Sequence, residues 1–268
     1  MPTRIQTVLI DGGAKTSKST VGTAICEALA RYKHVAVGDA GRFVRQVTFA
    51  ALEALGVDGR EDIADADLDR AIKAVVQAET AFDENYIWGN LESPEINRWV
   101  SVVGKRPAVQ QQKMDWYGAL LHRARQNGDE VLVINARNPR SHLKKWAGEL
   151  ELKLEIFTDC DPKVAAVRKL LGHGVPKPSP DLVEKERLAI IERRELDLTR
   201  PTDTFVVPKK FVPYDAGGDV QDIIAKSRKA PADTAPLPIL FDTSDMSKPG
   251  MERAAQQLAL AALGLPLI

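Results

Sequence analysis

Ile10 to Thr20 reads IDGGAKTSKST and follows directly on the apolar, β-branched run Thr7–Ile10 (TVLI). Beyond it, Val21, Ile25, Ala28 and Leu29 recur on one helical face. The order is therefore strand, glycine turn, helix, which aims backbone N–H groups and the positive end of a helix dipole at one spot, an arrangement suited to a polyphosphate. The spacing nearly satisfies G-x-x-x-x-G-K-[ST]: Gly12, Lys18 and Ser19 are in register, and Ser17 stands where the second glycine belongs. Gly12 and Gly13 supply the turn, and Ala14, Lys15, Thr16 and Ser17 complete the cradle. Lys18 is placed to reach the β- and γ-phosphates, and the hydroxyls of Ser19 or Thr20 to serve Mg²⁺, Ser19 being the expected metal contact. If Ser17 has positive φ, its side chain costs about 1 kcal/mol relative to glycine and its Cβ narrows the approach to the phosphates. That weakens binding several-fold without abolishing it.

Val35–Val37, Val131–Ile134, Leu154–Phe157 and Ile239–Phe241 repeat the pattern of short buried strands, with helical stretches between them. Strands alternating with helices predict a doubly wound α/β sheet, mainly parallel and five-stranded. The interval of about residues 45 to 128 is too long for one crossover and reads as helical, with Ser93-Pro94-Glu95 as a helix start. Ser179-Pro180-Asp181 opens another, charged helix to about Leu196, and Met251 to Leu263 forms a closing amphipathic helix. Residues 171–180 and 201–237, rich in Gly, Pro, Lys and Asp, read as loops or a mobile flap.

The 37 basic and 37 acidic residues cancel, which removes a global pull toward nucleic acid or anionic membrane, so a bound anion must be held by a local site. No stretch approaches the apolar length of a membrane span, and the start is unlike a signal peptide, so a cytoplasmic address is expected. Cys26 and Cys160 are too far apart for a C-x-x-C pairing, and His34, His122, His142 and His173 show no ligand spacing. Most of Trp88, Trp99, Trp116 and Tyr117 in the helical interval are expected to be packing residues, with stacking on a base the alternative for one of them.

The second strand runs into GDAGRFVRQ, Gly38 to Gln46, and here the chain resembles the cytidylate kinases of the nucleoside monophosphate kinase superfamily. Their pattern at this place is D-T-G-x-x-x-R or S-A-G-x-x-x-R, and their first loop reads I-D-G-x-x-x-x-G-K-x-T. Val100-Ser101 with Pro107-Ala108-Val109, then VINARNPRS (Val133–Ser141), FTDCDPKVAAVRK (Phe157–Lys169), RRELDLTR (Arg193–Arg200) and LFDTSDMS (Leu240–Ser247) are similar to further family segments in the same order.

The resemblance implies a P-loop kinase-type three-layer α/β/α fold with a helical acceptor-binding insertion and a lid. The expected division is a core of 1–44, 128–170 and 236–268, an acceptor region of 45–127, and a lid with a long insertion at 171–235. It implies Mg²⁺-dependent transfer from ATP to a nucleoside monophosphate of CMP/dCMP type, with small nucleotides as the partners. Lys18, Arg137 and Arg193 match catalytic positions, and guanidinium forks suit equatorial phosphate oxygens. Asp39, Gly41, Arg45, Ser101, Gln110, Arg137, Asn138, Asp197 and Arg200 match acceptor positions, while Arg168, Lys169 and Arg193 match the lid.

The departures fall mainly on base-reading places: Gln110 replaces the usual arginine and Asn138 the usual aspartate. Asn135 and Arg194 each stand where the family has aspartate. A kinase for another acceptor, or a catalytically silent nucleotide-binding protein, are the alternative readings. Residues 203–235 exceed the family's usual connection between lid and last strand.

Overall fold

The structure is a computed structural model that describes residues 4–59, 61–77, 91, 93–198, 207–230 and 236–268. The chain divides into two compact units, Met1–Gly38 with His122–Ile268, and Asp39–Leu121, the second inserted between two strands of the first.

The first unit is built on β1 (Ile5–Gly12), β2 (Val35–Asp39), β3 (Val131–Asn135), β4 (Leu150–Asp159), β5 (Val212–Pro213) and β6 (Ile239–Asp242). They form one sheet in the order β2-β3-β1-β4-β6-β5. β1 lies parallel to β3 and β4, and β6 parallel to β4 and β5. Val8, Ile10, Val133, Leu154, Ile156, Ile239 and Phe241 join one buried cluster with α1 (Lys18–Leu29), α9 (Val220–Arg228) and α10 (Lys248–Leu263). The residues alternating with them, among them Leu9, Leu132, Ile134 and Phe157, are buried too. Apolar side chains on both faces explain why these strands read as continuous hydrophobic runs. The chain therefore has the P-loop kinase-type α/β architecture, with six strands where five are legible in the sequence.

The sixth strand corrects the reading of 201–237 as loops. Val212 N–H donates to the Pro238 carbonyl and Tyr214 N–H to that of Leu240, both at 2.9 Å, which adds β5 to the sheet edge. Tyr214 packs on Phe241 with ring centroids 4.9 Å apart. Asp219 caps α9, accepting from Gln221 N–H, and Ile223 and Ile224 enter the main core. A two-residue strand containing proline carries no alternation pattern, and a nine-residue helix too little periodicity, for sequence to show either.

α6 (Pro139–Leu143), α7 (Pro162–Gly172) and α8 (Pro180–Leu198) each begin with proline, whose missing N–H costs nothing in a first turn. Ala165, Ala166 and Leu170 of α7 pack with Val183 and Ile190 of α8. Cys160 is buried and Cys26 half-buried, and both are free thiols.

The second unit comprises α2 (Ala40–Leu55), α3 (Asp65–Gln77), α4 (Pro94–Val103) and most of α5 (Pro107–Gln126). Ser93 caps α4 by accepting from Ile96 N–H at 3.2 Å. Phe43, Val47, Leu52, Leu68, Ile72, Ile96 and Trp99 form its core, and the Trp99 indole donates to the Gly59 carbonyl at 2.9 Å. Trp116 and Tyr117 stack beside this core, whereas Trp88 lies outside the described residues. Among the described residues no helix is long and apolar enough to cross a membrane.

Candidate active site

The turn after β1 is dictated by a close approach of β4. A Cβ on Gly12, whose φ is 142°, would lie 2.2 Å from Thr158 Oγ1 and 2.3 Å from the Thr158 carbonyl oxygen. Only glycine fits there. The buried hydroxyls of Thr16 and Thr158 are 2.7 Å apart, and Thr158 also donates to the Asp11 carbonyl at 3.1 Å. The loop is thus pinned from below by two side chains that sequence inspection had no reason to pair.

Above this floor the backbone turns through left-handed residues, Lys15 at φ 59° and Ser17 at φ 68°. Ser17 is the residue preceding α1, and its hydroxyl makes no capping bond. The positive φ anticipated for that position is therefore present, and serine adopts it without the compensation a cap would bring. Lys18 opens α1 and donates to the carbonyls of Gly12 and Gly13 at 2.7 and 2.6 Å, which places its ammonium over the loop. Ser19, one residue on, is exposed.

Asp11 sits beneath the turn, its carboxylate accepting from Gly12 N–H at 2.6 Å. Burial pushes its pKa above the ordinary carboxylate value, opposed by the Gly12 bond and the Lys18 charge. On the neighbouring strand Glu155 is displaced in the same direction. Burial raises it to about 7, although Arg140 of α6 pairs with it at 2.6 Å, and Asp11 adds repulsion.

At the end of β3, Asn135 is buried opposite Ile10. Two residues on, Arg137 forms an ion pair with the fully buried Asp197 of α8 at 2.5 Å. Two residues singled out from separate segments are thus brought into contact. Arg193, one helical turn before Asp197, is half-buried. Asn138 takes a left-handed conformation, φ 47°, immediately before the Pro139 that begins α6. Arg200 lies outside the described residues.

Arg168 of α7 is a clamp on the segment after β6: it donates to the carbonyls of Thr243 and Met246 at 2.6 and 2.7 Å. Lys169 pairs with Glu186 of α8. Arg194 stands out among residues that sequence comparison left unassigned. From the last turns of α8 its Nε and Nη2 point at the Ala14 carbonyl, at 3.4 and 3.3 Å, and its Nη1 lies 3.8 Å from Asp159. The charge reversal at this position was the available signal.

The second unit carries the remaining candidates. Asp39 caps α2 by accepting from Arg42 N–H at 2.9 Å, and a Cβ on Gly41 would stand 3.1 Å from the Asp39 carboxylate. Arg45 makes long contacts, 3.4 Å each, with the Gly41 carbonyl and Asn97. Ser101 is half-buried on α4, and the Gln110 amide on α5 donates to the Gly104 carbonyl.

A parallel sheet, a glycine turn at the carboxyl end of its β1 strand, a lysine at the following helix N-terminus and a helical unit inserted after β2 together define the P-loop kinase-type fold. More narrowly, the chain belongs to the cytidylate kinase family, whose model matches residues 8–226. A bifunctional pantoate ligase/cytidylate kinase from Synechococcus sp. (strain CC9311) is 29% identical over 214 residues. The match covers 74% of this chain and 38% of that protein, so the chain spans well under half of that relative's length.

Proposed function

We propose that this chain transfers the terminal phosphoryl group of ATP to a CMP-like nucleoside monophosphate, giving the two diphosphates. The observation that carries the reading is the loop itself, with Gly12 seated against Thr158 and the Lys18 ammonium over the turn at the start of α1. Family membership supports the acceptor class, as does the cytidylate kinase in the relative's name.

In-line phosphoryl transfer asks a protein for position, water exclusion and charge stabilisation rather than a covalent intermediate. Lys18 and the loop N–H groups hold the β- and γ-phosphates. Arg137 and Arg193 offset charge on the equatorial oxygens, and the buried Asp197 fixes the direction of the Arg137 fork. Asp39, Gly41, Arg45, Ser101, Gln110, Asn138 and Arg200 are assigned to the acceptor by resemblance.

Among the described residues no three His, Cys, Asp or Glu side chains converge on a metal site. The donor set fits Mg²⁺ that arrives with the nucleotide, held mainly by phosphate oxygens with the exposed Ser19 hydroxyl as the protein's contribution. Bound there, the ion would neutralise β- and γ-phosphate charge.

The test is ADP release from Mg-ATP against ribo- and deoxyribonucleoside monophosphates of all bases. Turnover is expected with CMP or dCMP foremost. No turnover with any monophosphate, from protein that binds ATP, would overturn the proposal in favour of a different acceptor or a silent nucleotide-binding protein.

A further inference from the structure

Arg194 reverses the charge of the aspartate that the resembling motif carries between Arg193 and Asp197, and it does so beside the phosphate loop. Its guanidinium is half-buried, at 17% side-chain exposure, and faces two acceptors of the first unit, the Ala14 carbonyl and the Asp159 carboxylate. Neither is a close partner. The Ala14 contacts at 3.3 and 3.4 Å are longer than good N–H···O bonds, and 3.8 Å to Asp159 is an ion pair without a hydrogen bond.

A forked cation held by long contacts at the rim of an anion-binding turn is matched far better by phosphate oxygens, which accept short, charge-assisted, bidentate bonds. The nearby charges have other attachments. Arg137 is paired at 2.5 Å with the fully buried Asp197, and Lys18 reaches back to Gly12 and Gly13. The loop is also handicapped by Ser17, a side chain in a left-handed position where glycine is the easy choice.

We propose that Arg194 binds the polyphosphate of the donor nucleotide at the Ala14–Ser17 turn, a direct phosphate contact supplied by α8 that offsets the weaker grip of a loop lacking its second glycine. The inference rests on the kinase reading and deepens it. It makes donor affinity depend on α8 as well as on the loop. The dependence follows phosphate charge and is indifferent to the base.

The experiment is a titration of the full chain, without acceptor, with Mg-ATP, Mg-ADP and adenosine by calorimetry, for wild type, Arg194→Ala and Arg194→Lys. Thermal melts confirm that each variant is folded. Arg194→Ala is expected to weaken ATP by roughly 10- to 100-fold, the range of a hydrogen bond to a charged group, and Arg194→Lys by less. Adenosine affinity is expected to stay unchanged. Wild type that binds ATP together with an Arg194→Ala protein that binds it equally well overturns this inference and leaves the kinase reading standing. An equal loss for ATP and adenosine also overturns it, because Arg194 would then only brace the turn. Wild type that fails to bind ATP overturns both.

Discussion

Ser17 decides how the phosphate loop is judged. Its left-handed backbone, φ 68°, without a capping bond means that serine bears the strain glycine would avoid. Ser17→Gly is expected to raise unfolding free energy by about 1 kcal/mol in denaturant titrations and to leave ATP affinity equal or tighter. Glu155 sets a second expectation. Its pKa rises from 4.5 to about 7 on folding, so its stabilising contribution is complete below 4.5 and is lost as pH climbs through 7. Stability should therefore fall between pH 5 and pH 8, by on the order of 3 kcal/mol from this group. Glu155→Gln should reduce that slope, leaving the same-sign contribution of Asp11. A denaturation series in which the wild type gains stability over that range would contradict the assignment. Ser17 was visible in the sequence because a motif made its absence of glycine conspicuous. Glu155 was not, because a lone glutamate in a strand is silent until the fold shows Arg140 and Asp11 beside it.

At the scale of elements, the strands β1, β3, β4 and β6 were legible because their buried stretches are written as apolar runs, and the edge strand β2, with Val37 exposed, by its short β-branched run Val35–Val37. Helix starts at Ser93 and Pro180 were equally plain, since capping chemistry is local. β5 and α9 were not legible. Their position depends on backbone bonds to the strand around Ile239 and on two isoleucines that only tertiary packing places inside. If the segment is part of the core, Ile224→Ala should cost about 2–5 kcal/mol, as for any buried large-to-small change. A shift near zero in chemical denaturation would instead mean a dispensable flap. The contact between Arg137 and Asp197 was beyond sequence for a related reason. Spacing on one helix can place Arg193 and Asp197 together, but it cannot say which strand end delivers the cation to Asp197.

For the molecule as a whole, the collinear order of weak motifs carried more than any single one, and the family match over residues 8–226 agrees with that order. What stayed hidden were long-range contacts, such as Thr158 beneath Gly12 and Arg194 against Ala14, since each joins segments more than 140 residues apart. The phosphoryl transfer proposed for the loop at Gly12–Thr20 turns on Lys18 above all. Removing the lysine deletes the ammonium proposed to stabilise charge on the transferring group, a loss expected to lower turnover by about 10²- to 10³-fold. The most direct measurement is transfer of γ-labelled phosphate from Mg-ATP into the diphosphate product with CMP as acceptor, in wild type and in Lys18→Ala. Labelled CDP is expected from wild type and almost none from the folded variant; equal label in both products would show that this loop is not where the phosphoryl group moves.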